Sequence, residues 1–207
     1  SSAASDVYKR QPRDAAAASS QAADVFLRAL PADVNVTTLK LFDTDLPDVT
    51  GNVVNAKFKF AMGADLTEAE AAEWQSIRNL VEQFISADAF LFAVPMWNFS
   101  IPYRMKQYID LITHPGLTFV RDENGMRGLA SGSATVIYSR GGDYSPKAGQ
   151  PDPYDFQSPY FNAWLGLLGA GPVTEVLVQN TAAGPDAQAA AVEAAREQLE
   201  SLASATG

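Results

Sequence analysis

The chain has 207 residues, with 15 Lys and Arg against 24 Asp and Glu, a net charge of −9, one histidine and no cysteine. At ~150 residues per domain the length suggests one domain, and the acidic balance excludes the basic stripe of a nucleic-acid binder. The missing cysteines exclude a disulfide scaffold, a zinc ribbon, an iron–sulfur cluster and a thiol nucleophile, and a lone His114 excludes a multi-histidine metal site. The longest apolar run, residues 89–97, is far short of the ~20 residues that span a bilayer. The first six residues lack the layout of an export signal, so the expectation is a cytoplasmic protein with no nucleic-acid or membrane partner.

Residues 15–30 are rich in alanine, carry Phe26, Leu27 and Leu30 at helical spacing and stop at Pro31, which predicts a helix. Residues 34–42, with Val34, Val36, Leu39 and Leu41, predict a strand of imperfect period. Residues 43–65 mix polar and turn residues and are expected to form a long connection. Thr67 and Glu70 have the spacing of a capping box, and Trp74, Ile77, Val81, Phe84 and Ile85 continue one helical face. Residues 89–94 (AFLFAV), apolar throughout and closed by Pro95, fit a strand buried on both faces. Pro102 opens a helix over residues 103–112, residues 122–125 (DENG) mark a turn, and residues 134–138 (ATVIY) form another short buried strand. A helix over residues 157–168, a strand over 173–178 and an amphipathic helix over 185–203 complete the chain.

Helices alternating with short apolar strands predict an α/β fold, a flavodoxin-like doubly wound parallel sheet of five strands in the order 2-1-3-4-5. The first strand is central in that order, yet residues 1–11 (SSAASDVYKRQ) offer only Val7 and Tyr8 as strand material, beside Asp6, Lys9 and Arg10. The first strand is therefore expected to be degenerate or missing. Residues 1–11 read as a non-native-looking stretch ahead of one domain over residues 12–207.

Ligands of an open parallel sheet bind beyond the carboxyl ends of its strands, near the switch in strand order, which singles out three loops. Residues 95–102 (PMWNFSIP) supply aromatic rings and an amide between two prolines. Residues 139–144 (SRGGDY) supply adjacent glycines that let a backbone approach a flat ligand. Pro12, Arg13 and Asp14, with Ser19 and Ser20 behind them, precede a helix whose free N–H groups suit an anion. Each loop alone also has an ordinary use: Trp97 and Phe99 as packing aromatics, Gly141 and Gly142 as a turn, Arg140 as a surface charge. His114, ahead of Pro115, is expected at a helix C-terminus, where a partly protonated imidazole favours the dipole. Gly166, Gly169 and Gly171 follow a helix, the context of a C-cap and turn and not of a dinucleotide loop.

Together, PMWNFSIP with Lys106 and Asp110, residues 115–119 (PGLTF) and the SRGG at residues 139–142 resemble the FMN-dependent NADH-azoreductases, also called NADH:quinone oxidoreductases. The likeness runs from about Pro12 to the C-terminus. It implies that Met96, Trp97, Asn98, Phe99, Ser139, Arg140, Gly141 and Gly142 line a flavin mononucleotide. It also implies a homodimer, with residues 99–108 and Phe119 as candidate interface. In the phosphate cradle Gln11 stands where members have a serine, and Ala17 and Ala18 precede Ser19, the one cradle residue that carries over.

The expected function is two-electron transfer from NADH or NADPH through FMN to a quinone or aromatic azo compound, with no catalytic side chain and no metal, because the flavin carries the chemistry. A flavodoxin-like electron carrier and a cofactor-free binding protein of the same fold are the rival readings. Charged residues in a central strand cost several kcal/mol each when buried unpaired. Replacing residues 1–11 with an apolar five-residue strand ending in Ser is thus expected to raise Tm by roughly 5 °C or more and to tighten FMN binding. An unchanged unfolding midpoint and FMN titration would show that the present residues already serve.

Overall fold

The computed structural model describes residues 4–8, as backbone, and residues 16–206. In chain order the elements are β1 (Ala4–Tyr8), α1 (Ala18–Ala29), β2 (Asn35–Thr38), α2 (Gly51–Met62), α3 (Glu68–Ile85), β3 (Ala89–Pro95) and α4 (Tyr103–Ile112). There follow β4 (Phe119–Asp122), β5 (Gly125–Gly128), β6 (Ser133–Ser139), α5 (Ser158–Leu168), β7 (Val173–Val178), α6 (Pro185–Ala194) and α7 (Arg196–Ser204). One five-stranded sheet runs β2-β1-β3-β6-β7, every neighbouring pair parallel. With the separate β4-β5 hairpin set aside, this is the order expected from the alternation of elements.

All seven residues of β3 are buried, and the pleat sends alternate side chains into two different cores. Phe90, Phe92 and Val94 join Trp74 and Phe84 of α3, Met105 of α4 and Trp164 of α5 on one face. Leu91 and Ala93 join Ala22 and Phe26 of α1 and Leu199 and Ala203 of α7 on the other. A strand without polar positions is what two covered faces require. The capping box of α3 is present as read: Thr67 Oγ1 accepts from Glu70 N at 3.3 Å, and Glu70 Oε2 accepts from Thr67 N at 2.8 Å.

Three expectations change. A strand occupies the central place at Ala4–Tyr8, in register with β2 and β3, so the first strand is degenerate in sequence but not missing: its ladder is made by backbone groups. Residues 9–15 and the side chains of β1 lie outside the described residues. The connection over residues 43–65 contains α2, capped by Thr50 and ended by Gly63 in the left-handed conformation at φ 66°. Its apolar residues are split between a buried set, Val53 and Ala56, and an exposed set, Val54, Phe58 and Met62, so no single stripe marks it. The last helix is two, α6 and α7, broken at Ala195. The turn at residues 122–125 joins β4 and β5. That hairpin docks where Gly128 meets the end of α5, and a Cβ there would lie 2.0 Å from the backbone of Leu168 and Gly169.

His114 stands past the end of α4 and is almost fully buried. Its Nε2–H donates to Leu111 O, its ring meets Trp74 edge to face at 4.8 Å, and among the described residues Nδ1 has no partner. Burial first, then the nearby Lys57 charge, lowers its pKa to about 4 against the bond to Leu111. The imidazole caps the helix as a neutral ring, not as the partly protonated one expected. The unfolded chain takes up a proton near pH 6.5 and the folded chain only near 4, so protonation favours unfolding. Stability present above pH 6.5 is lost as the pH falls toward 4, by about 3 kcal/mol at ~1.4 kcal/mol per pKa unit. Denaturant unfolding at pH 7 and pH 4.5 is expected to show that loss in the wild type and a smaller one in His114→Gln; equal losses would remove His114 as the source.

Candidate functional site

The ladder between β3 and β6 ends at Pro95 opposite Ser139, and Met96 N extends it by one bond to Ser139 O at 2.8 Å. From there the two chains leave as loops over one edge of the sheet. A cavity of about 260 Å³ lies between them, lined by Ala17, Met96, Trp97, Ser139, Gly141 and Gln188 among others.

The loop after β3 is a two-residue turn. Trp97 and Ser100 exchange backbone hydrogen bonds of 2.8 and 3.0 Å, while Asn98 and Phe99 take φ of 48° and 71°. Both central residues are left-handed, as a type I′ turn demands. Asn tolerates this; Phe does so at a cost of roughly 1–2 kcal/mol. Phe99 is held there by Phe156 N, which donates to its carbonyl at 3.1 Å, and by Tyr154, whose ring lies 5.3 Å away. Trp97 packs against Phe42 at 5.5 Å and Tyr103 at 6.5 Å, which fixes the indole as a wall.

In the loop after β6, the carbonyls of Gly141 and Gly142 accept from Ala182 N and Asn180 N, both at 3.2 Å. Among the described residues their own amides have no acceptor. A Cβ on Gly141 would approach Ala182 Cβ to 3.2 Å. The Arg140 side chain does not face the cavity: it is 2 % exposed, and its Nε donates to Gln157 Oε1 at 3.0 Å and its Nη2 to Asp155 Oδ2 at 2.8 Å. Burial pushes the Asp155 carboxyl up, but bonds from the Ser158 hydroxyl and amide, with the Arg140 charge, outweigh it and leave the group below its ordinary value. The Arg140 side chain therefore forms an ion pair beneath the loop, because a buried guanidinium must be paired, and only its backbone remains in the glycine loop.

The third wall is the start of α1. Ala17 is its N-cap and makes no side-chain cap, so the first-turn N–H groups open toward an anion. Ser19, fully buried, has a hydroxyl with no hydrogen-bond partner among the described residues, and so has Ser20. Gln188 of α6 holds this turn by donating to Ala16 O at 2.9 Å and to Gln21 Oε1 at 3.0 Å.

Of the nine residues singled out in the sequence, Met96, Trp97, Ser139 and Gly141 line the cavity. Asn98, Phe99 and Gly142 stand in the turns beside it, and Ser19 lies in the first turn of α1. Thr181, Ala182 and Gln188 also line it; they follow β7, whose carboxyl end opens on the same edge, and that position in the strand alternation is the sequence signal for them. Tyr108 is buried in the core and leaves the candidate interface, whereas Tyr103 is 66 % exposed. A larger apolar groove of about 750 Å³ lies elsewhere, between α2, α4 and α5, lined by Val54, Phe58, Ile109, Tyr160 and Trp164 among others.

These features define an α/β protein with a ligand cavity at the carboxyl edge of a parallel sheet. The chain belongs to the flavodoxin-like fold family, whose model matches residues 9–203. It is 46% identical over 160 residues to an FMN-dependent NADH:quinone oxidoreductase of Desulfotalea psychrophila, covering 76% of this chain and 74% of the relative. It is 41% identical over 197 residues to the FMN-dependent NADH:quinone oxidoreductase of Nitratidesulfovibrio vulgaris, covering 91% and 93%. The crystal structure of an azoreductase from Bacillus anthracis superposes with a TM-score of 0.83 at 28% identity, covering 98% of this chain and 99% of that one.

Proposed function

We propose that this chain is an FMN-dependent oxidoreductase that passes two electrons from NADH or NADPH to quinones or aromatic azo compounds. The observation that carries the reading is the cavity at the sheet edge, where an aromatic turn, a glycine loop and an uncapped helix N-terminus converge, with the buried Ser19 hydroxyl, which has no hydrogen-bond partner among the described residues, in the first turn behind it. These residues fit FMN. Ser19 and the first-turn amides of α1 would hold the phosphate, and Met96, Trp97, Asn98 and Phe99 would wall the ring. The unengaged amides of Gly141 and Gly142 would favour negative charge at the ring edge, as preorganised donors do. Bound FMN supplies the two-electron chemistry. The protein's task is to hold it with one face open, which the exposed turn at Asn98 and Phe99 leaves room for. Residues 12–207 act as the FMN-binding domain in this reading, with residues 1–11 ahead of it, and the protein works in the cytoplasm.

Asn98→Ala and Gly141→Val are each expected to weaken FMN binding by roughly tenfold or more, read by quenching of flavin fluorescence, whereas Glu197→Gln in α7 leaves it unchanged. FMN-loaded wild type should oxidise NADH steadily with menadione, giving parallel double-reciprocal lines at several menadione concentrations. Intersecting lines would contradict a single open face, and no turnover would favour the electron carrier or the binding protein.

The protein acts as a homodimer in this account, with the groove between α2, α4 and α5 covered by a second copy. Phe58 and Met62 of α2 are 63 % and 74 % exposed, with Val49 and Val54 beside them. Such a contiguous apolar face marks an interaction surface, and covering it contributes about 25 cal/mol per Å². Sedimentation is expected to find a dimer at micromolar concentration and a monomer for Phe58→Asp. A monomeric wild type would reject the pairing.

A further inference from the structure

We propose that Gln157 is a positioning residue that sets the spacing between the two loops of the flavin cavity, an inference that rests on the FMN reading above. Past the bond from Met96 N to Ser139 O the β3–β6 ladder no longer ties the loops together. A tie at their base is supplied from the N-cap of α5. The fully buried side chain of Gln157 donates from Nε2 to Val94 O at 2.9 Å and accepts at Oε1 from Arg140 Nε at 3.0 Å. Val94 lies two residues before Met96, and Arg140 is bonded to Gly141, so each end of one amide fixes the base of one cavity loop.

The neighbouring residues extend the same tie. Asp155 takes the other arm of Arg140 at 2.8 Å and is itself held by Ser158 N at 3.0 Å and the Ser158 hydroxyl at 2.6 Å. Phe156 N holds the carbonyl of Phe99 at 3.1 Å. Gln157 is not among the residues lining the cavity, so it acts through Val94 and Arg140. The position needs one donor and one acceptor on a single planar group, which among side chains of this length is the carboxamide of glutamine. Buried polar groups are costly when unpaired, so loss of the tie leaves two loops free to shift relative to each other, while the phosphate cradle at α1 is untouched.

The test compares Gln157→Met, which keeps the volume and removes both bonds, with Gln157→Glu, which keeps the acceptor for Arg140 and removes the donor to Val94. Leu199→Ala, in the core on the opposite face of the sheet, is the control for lost stability. Affinities for FMN and for riboflavin, which lacks the phosphate, are measured well below each variant's Tm. Gln157→Met is expected to weaken both ligands by the same factor, about tenfold, the scale of one unpaired buried polar group. Gln157→Glu weakens both by at least about threefold, and it decides the matter if the methionine variant does not fold. Leu199→Ala lowers Tm and leaves both affinities unchanged. Affinities in the folded Gln157 variants within twofold of wild type would overturn the proposal, as would a loss confined to FMN or a loss matched by Leu199→Ala. A wild type that binds neither flavin would overturn the FMN reading itself, and with it this one.

Discussion

The parallel ladder between β3 and β6 is the constraint on which the rest depends. Its seven matched residue pairs, from Ala89 opposite Ser133 to Pro95 opposite Ser139, bring two loops more than forty residues apart in sequence to adjacent positions on one edge. Parallel strands need crossovers, and the crossovers here bury both faces of β3. Position along the sheet is then settled by two cores at once: a slip by one residue would exchange Phe90, Phe92 and Val94 with Leu91 and Ala93. The location of the cavity is thus a consequence of packing well away from it.

Two unfavourable features stand at that edge, and each is held by the other's surroundings. Phe99 takes a left-handed backbone that costs roughly 1–2 kcal/mol, and Arg140 takes a charge out of water. The segment from Asp155 to Gln157 meets both, through Phe156 N on Phe99 and through Asp155 and Gln157 on Arg140. Strain and buried charge at a site persist only where neighbouring structure determines them. Here the same three residues do so, which gives the cavity loops a fixed geometry before any ligand arrives.

Much of this was legible in the residues. Uniformly apolar β3, the short apolar run at residues 136–138 of β6, the Thr67–Glu70 capping box and the Pro102 start of α4 each carry a local signal, and the structure uses each as read. The loops with Met96 to Phe99 and Ser139 to Gly142 were legible because proline, asparagine and glycine punctuate them. α2 was not, because its apolar residues serve the core on one side and an exposed face on the other. The break at Ala195 lacks glycine or proline, and β4 and β5 are four residues each and half exposed. The inward turn of Arg140 depends on partners 15 and 17 residues on, and the hold of Gln188 on Ala16 spans 172 residues. Contacts of that range leave no local pattern, so they become visible only in the fold.

A cavity built around one helix N-terminus has a place for one terminal phosphate. A pyrophosphate and adenosine would need a second glycine-rich strand-to-helix turn, and the sequence from residue 16 onward contains no such turn. Equilibrium dialysis of the wild type against FMN and FAD in parallel decides whether this edge of the sheet is an FMN site. Saturable uptake of one FMN per chain with weaker retention of FAD is expected; tighter binding of FAD, or no uptake of FMN, would rule the site out.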